Sequence, residues 1–392
     1  MDAMPWCIDR VPVFEESRTL MSRTFSHSML QEIYEQPEAL AATIARYAPG
    51  GSLSAESFPN VAEIFRGRQR LVIAASGSSR HAGLAGEIML EDYAGLAVDV
   101  EYASEYCYRS THTLHDPGVL VISQSGETAD TLAALREAKA RGLATAAITN
   151  NAGSTMANEA DASLPTIAGK EKAIPATKSF TTQLSVLYLL TLYVARLGGR
   201  MTAQAVSSHL EQVERLPKLL EASLQRWESE MGAIAERLGE AKGFLYLGRA
   251  VHYAIAREGA LKLKESAYVQ AEGYPAGELK HGPNALVSES APLVMLATRD
   301  DSDPDSILRY QKTLQLMREM KEQGATILSI ANEGDDEAKK LSRYSVQVPA
   351  ADEFLLTILE VVPLQMFAYF TAILRGVNVD APRNLVKAVV RE

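Results

Sequence analysis

The segment Ser123-Gln124-Ser125-Gly126-Glu127-Thr128 sets three hydroxyls, an amide and a glycine between the apolar run GVLVI and the helix-like TADTLAALREAKARG. A helix N-terminus leaves backbone N–H groups unpaired and carries about half a positive charge. Hydroxyls gathered around such an end make a compact pocket for a dianion. A second turn of the same character, Ser76-Gly77-Ser78-Ser79, follows the run LVIAA. Helix capping by Thr128 or Ser125 accounts for one turn taken alone. Two such turns at the carboxyl ends of parallel strands favour a bound phosphate group. The pattern GxxxxGK[ST] does not occur, which argues against a nucleoside triphosphate.

A different set of groups lies in AREGALKLKESAYVQAEGYPAGELKHGP. Glu258, Lys262 and Glu265 fall at i, i+4 and i+7, on one face of a helix. Spacing alone predicts a solvated salt-bridge ladder there. His281 sits after that helix among Gly277, Gly282 and Pro283, a loop context that disfavours a core histidine. His112 and His115 could start a metal site, but no third ligand follows them, and no metal or other cofactor is expected.

These residues need strands and helices to hold them. Short apolar runs (RLVIAASG, VEYA, GVLVISQSG, TAAITNN, ASLPTIA) alternate with helix-like segments, which predicts βαβ units and a parallel sheet covered on both faces. The pattern then repeats from GFLYLGR. Gly77 and Glu87 correspond to Gly248 and Glu258 at a displacement of about 171, and Gly142, Asn150 and Gln183 to Gly324, Asn332 and Gln365 at about 182. The expected layout is a helical and irregular segment over 1–60, a first α/β unit over 61–200, a helical connector over 201–240, a second unit over 241–375 and a tail over 376–392. The clearest helix in the leading segment is SMLQEIYEQPEALAATIARYA. The most apolar run, QLSVLYLLTLYVARLGG, is short for a membrane span and predicts a buried helix.

With 392 residues, 22% of them charged, and a net charge of −10, the chain has the composition of a globular protein without a nucleic-acid or anionic-membrane face. Two cysteines, Cys7 and Cys107, suggest neither a disulfide framework nor a metal cluster. The N-terminus has no basic region followed by an apolar one, so a cytoplasmic location is expected.

SQSGETADTL, AREGALKLKE, AGELKHGP and DAPRNLVKAVVRE together resemble the sugar isomerase (SIS) half of the glucosamine-6-phosphate synthases, over more than nine-tenths of the chain. The resemblance implies two tandem flavodoxin-like SIS subdomains, each a three-layer α/β/α sandwich on a parallel sheet, and a homodimer with shared sites. It implies a hexose 6-phosphate held by Ser78, Ser79, Ser123, Gln124, Ser125 and Thr128, in agreement with the reading of the two turns. It makes Glu265 the base that moves a proton between C1 and C2 of the open-chain sugar. His281, from the partner subunit, would assist ring opening. Lys387 would lie over the substrate and could form an imine with the ketose carbonyl, and Lys262 would stand near the sugar hydroxyls. The chain departs from the pattern at Ser76, where a cysteine is expected, at Gln270, where a histidine is, and at Pro175-Ala176, which replaces an Ala-Ser pair.

The synthases generate ammonia in a glutaminase domain that opens with a cysteine, whereas Asp2 stands here and Cys7 is internal. The expectation is therefore a deaminase that converts glucosamine 6-phosphate to fructose 6-phosphate and ammonia through an enediol or enolamine. A synthase-like component fed with ammonia from elsewhere is the alternative, followed by a simple hexose-phosphate isomerase, a piece of a longer synthase, and a non-catalytic sugar-phosphate sensor.

Overall fold

The computed structural model describes residues 23–109, 117–288 and 290–390. Cys7, His112 and His115 lie outside them. Two five-stranded sheets, parallel throughout, account for all the named strands. The first contains β1 (Arg70–Ala75), β2 (Ala97–Tyr102), β3 (Gly118–Ile122), β4 (Thr145–Thr149) and β5 (Ala162–Pro165), in the order β2-β1-β3-β4-β5. The second contains β6 (Gly243–Gly248), β7 (Gln270–Pro275), β8 (Leu293–Ala297), β9 (Ile327–Asn332) and β10 (Tyr344–Val348), in the order β7-β6-β8-β9-β10. The two orders are the same, so the repeat seen in sequence is a repeat of topology.

Every residue of β3, β4, β8 and β9 is buried, as parallel strands with helices on both faces require, while the edge strands are only partly buried. The helices that position the site are α1 (Gln36–Tyr47), α2 (Gly77–Met89), α3 (Ala129–Ala140), α4 (Lys178–Leu197), α5 (Ala203–Leu238), α6 (Val251–Ala267) and α7 (Glu353–Leu374). Both α4 and α7 are long and apolar enough to cross a membrane by length and composition, yet both are core helices, buried almost along their full length. The run expected to be one helix near the N-terminus is two, Ser28–Tyr34 and α1, divided at Glu35. Pro37 explains the break: it fits the first turn of a helix and not its interior.

The two halves share one interior. Helix α6 follows β6 and packs on β7, but it also packs on α7 and reaches across to α2 of the first half. Gly259 makes the approach possible, because a Cβ there would stand 2.7 Å from Leu364 and 2.9 Å from Tyr246.

Candidate active site

In the first sheet the strand order reverses between β1 and β3, with Ala75 paired to Ile122 at the carboxyl end. Open α/β sheets form a crevice at such a point, and the turns Ser76–Ser79 and Ser123–Thr128 lie side by side on its rim. Neither turn spends its hydroxyls on capping: Ser76 and Thr128 occupy the N-cap positions of α2 and α3 without a side-chain cap bond. Instead Thr128 Oγ1 lies 2.8 Å from Ser123 Oγ, and Ser125 Oγ accepts the Glu127 N–H at 3.1 Å. Gly126 adopts φ +67°, and a Cβ on it would stand 2.1 Å from Ser154 Oγ, so only glycine fits without strain. The turn is also held from outside. Asn150 donates its N–H to the Gln124 carbonyl at 3.1 Å, and Glu127 accepts the Thr155 N–H at 2.8 Å.

Ser78 and Ser79 are oriented by their neighbours. Lys262 Nζ donates to Ser78 Oγ at 3.1 Å, and Gln183 Nε2 donates to Ser79 Oγ at 3.1 Å. A hydroxyl whose oxygen already accepts from a nitrogen is left with its own proton to give. Ser79 is thereby set as a donor, the polarity an anion needs, while Ser78 gives its own proton to Glu258.

Lys262 connects this turn to α6. It is buried, pairs with Glu265, and lies 3.3 Å from Glu258, which in turn takes His81 Nδ1 at 2.8 Å. The expected solvated ladder is therefore wrong in its environment: Glu258 and Lys262 are fully buried. Charges so placed persist only when paired, and the pairing sets their proton affinities. Burial pushes the Glu265 carboxyl above the usual carboxylate range, against the pull of Lys262, with Glu258 adding to the rise. Burial acts upward on Glu258 as well, but Lys262 and His81 outweigh it and hold that carboxyl low. Lys262 is raised despite its burial because two carboxylates flank it. His81 is lowered, chiefly by burial.

The C-terminal segment folds back onto the first turn of α3, where Val389 accepts the Ala129 N–H at 2.9 Å. Lys387 Nζ lies 2.5 Å from Glu171 Oε2 and 2.7 Å from the Ala173 carbonyl, and its charge is felt at Glu265. Contacts therefore join Ser78 to Lys262 and Glu265, and Ser123 to Ser125 and Thr128, while the charge of Lys387 reaches Glu265. His281 is not among them. It ends a short 3-10 helix, Ala276–His281, exposed and with no side-chain hydrogen bond or ion pair to the described residues. Sequence reasoning did not find His81 or Glu171. His81 lies two residues beyond the serine turn, but nothing in its surroundings points to a carboxylate 177 positions away.

The SIS domain model matches residues 64–193 and 238–375. The chain belongs to the SIS domain family. Its strands and helices follow the C-terminal domain of the glucosamine-fructose-6-phosphate aminotransferase from Francisella tularensis with a TM-score of 0.85 and 36% identity, over 91% of this chain and 98% of that one. A glucosamine-6-phosphate deaminase from Thermotoga maritima is similar at a TM-score of 0.69 and 25% identity, over 92% and 99%. Among curated relatives, the glutamine–fructose-6-phosphate aminotransferase (isomerizing) of Chlorobaculum tepidum is 40% identical over 370 residues. That match takes in 94% of this SIS chain and 59% of the relative's length. The chain spans somewhat over half of the curated relatives it matches. Its fold is that of the C-terminal domain of such an aminotransferase.

Proposed function

We propose that this SIS protein interconverts glucosamine 6-phosphate with fructose 6-phosphate and ammonia. One observation supports this above the others: a continuous chain of polar contacts links the serine turn to a carboxyl of raised proton affinity, Ser78 to Lys262 to Glu265. In this reading Ser78, Ser79, Ser123, Gln124, Ser125 and Thr128 hold the phosphate with hydroxyl, amide and backbone donors. Glu265 shuttles a proton between C1 and C2 of the open-chain sugar, a task for one carboxyl that reaches both carbons and whose proton affinity is raised. Lys262 stabilises negative charge developing on the sugar oxygen. Lys387 forms an imine with the ketose carbonyl, and His281 of a second copy opens the ring in a homodimer.

Net release of ammonia, as a deaminase, is the first direction to test. The higher identity to the aminotransferase C-terminal domain favours a second reading, in which the same site runs toward the amino sugar on ammonia delivered to it. Incubation with glucosamine 6-phosphate, without glutamine, should release ammonia and fructose 6-phosphate in equal amounts. Formation of glucosamine 6-phosphate from fructose 6-phosphate and ammonium, with negligible net release, would favour the second reading. Absence of both, with phosphate-dependent binding retained, would exclude this chemistry and leave a sugar-phosphate sensor.

A further inference from the structure

Glu171 has no part in the roles assigned above, yet it is the side chain that holds Lys387. Its carboxyl is almost fully buried and fixed on three sides. It accepts the Thr177 N–H at 3.0 Å, the Ser179 N–H at 3.1 Å and the Ser179 hydroxyl at 2.7 Å, all at the N-terminus of α4. The remaining direction is taken by Lys387 Nζ at 2.5 Å, on the same oxygen, Oε2, that Ser179 reaches. Lys387 also donates to the Ala173 carbonyl, and the Ala173 N–H donates to Glu32, a second buried carboxyl behind Glu171. An ammonium so held cannot attack a carbonyl until it loses a proton. We propose that Glu171 seats Lys387 over the crevice and takes its proton when the amine adds to the sugar.

The inference rests on the reading of Lys387 as the imine-forming amine. The step balances as follows. One N–H bond of the ammonium breaks and its proton passes to Glu171. The freed lone pair forms the C–N bond at the ketose C2, and a nitrogen proton moves to the former carbonyl oxygen, giving a carbinolamine. Glu171 then returns its proton to that hydroxyl, which leaves as water, and the product is the protonated imine beside a regenerated carboxylate.

The charged groups that face Lys387 are Glu171, Glu32 and Glu265, with Lys178 behind Glu32. Their proton affinities are separated. Burial acts upward on Glu171, but Lys387 and the N–H donors outweigh it and hold it low. Burial raises Glu32 to about 7 against the Lys172 N–H, with Glu171 adding to the rise. A low carboxyl backed by a high one resists permanent protonation near neutrality while still serving as a transient acceptor.

The test is reduction of the imine by borohydride in the full chain incubated with fructose 6-phosphate, read as a mass increase located on Lys387. The wild-type protein should trap at Lys387. Glu171→Gln should trap at least tenfold more slowly at neutral pH. Ser179→Ala, which removes only the hydroxyl donor and protects against misfolding of the first variant, should move the acid limb of the trapping profile upward. Trapping at Lys387 that both variants leave unchanged in rate and pH profile would overturn the role of Glu171 alone. No trapping at Lys387 in the wild type would overturn the imine reading and this inference together.

Discussion

At the carboxyl ends of β1 and β3 the first sheet presents Ser78, Ser79, Ser123, Ser125 and Thr128. At the matching ends of β6 and β8 the second presents Arg249, Ala250, Thr298, Arg299, Asp300 and Asp301. The strand order is the same, so the crevice exists twice. In the first half the two strand-end turns themselves offer neutral donors. In the second the crevice is filled by the chain's own ions: His252 lies between Glu360, at 2.8 Å, and Glu353, at 3.2 Å. Thr298 also donates to Glu360, and Arg309 donates to Glu353 at 2.9 Å. His81 and His252 occupy positions related by the same displacement as Gly77 and Gly248, yet they are driven in opposite directions. His81 meets one carboxylate and burial wins, so it is lowered. His252 meets two; they overcome burial and raise it to about 10. The same topology serves both halves, and in the second the strand ends are tied up in salt bridges.

The largest effect expected from breaking this contrast is on turnover. Glu265→Gln should reduce interconversion of the sugar phosphates by about 10²- to 10⁴-fold, the usual contribution of a general acid–base group, while binding of the sugar phosphate, measured calorimetrically, is kept. Equal turnover by the variant would remove Glu265 from the mechanism.

Next comes stability in the second half. His252→Leu leaves Glu353 and Glu360 buried without their cation and should cost about 3–5 kcal/mol in urea unfolding at pH 7. The folded-state affinity of His252 lies above its unfolded value of 6.5, so its stabilisation is full below about pH 6.5 and is lost as pH rises through about 10. The gap between wild type and variant should therefore narrow in alkali; a gap independent of pH would show that packing, not charge, was lost.

A smaller effect separates the two crevices directly. Thr128→Ala should weaken sugar-phosphate binding by about 1–3 kcal/mol, the range for a charge-assisted hydrogen bond. Ser302→Ala, in the acidic turn after β8, should leave binding unchanged, because that hydroxyl donates to Asp300 at 2.6 Å. If both variants weakened binding equally, the second crevice would be a ligand site as well.

Much of this was legible in the sequence because it is local. Apolar runs bounded by Gly and Ser gave the strands, and the hydroxyl-rich turns after LVIAA and GVLVI lie where strand order reverses. The i, i+4, i+7 spacing placed Glu258, Lys262 and Glu265 on one face, but spacing carries no information on what covers that face. The cover is α2 and α7, from segments far away along the chain, and it turns a ladder expected in water into a buried network. Glu171 was illegible for the same reason. Its partners Ser179 and Lys387 lie eight and 216 positions away, and only the folded chain brings them together. The early helix was misread in extent, although Pro37 marked the break.

Helix α6 belongs to the second half by connection and to the first by the side chains it delivers. A duplicated segment ordinarily leaves one copy free to drift or disappear. Here Lys262 donates to Ser78 and Glu258 takes His81, so losing either half would strip buried groups of the other of their partners. The two halves are bound to fold as one.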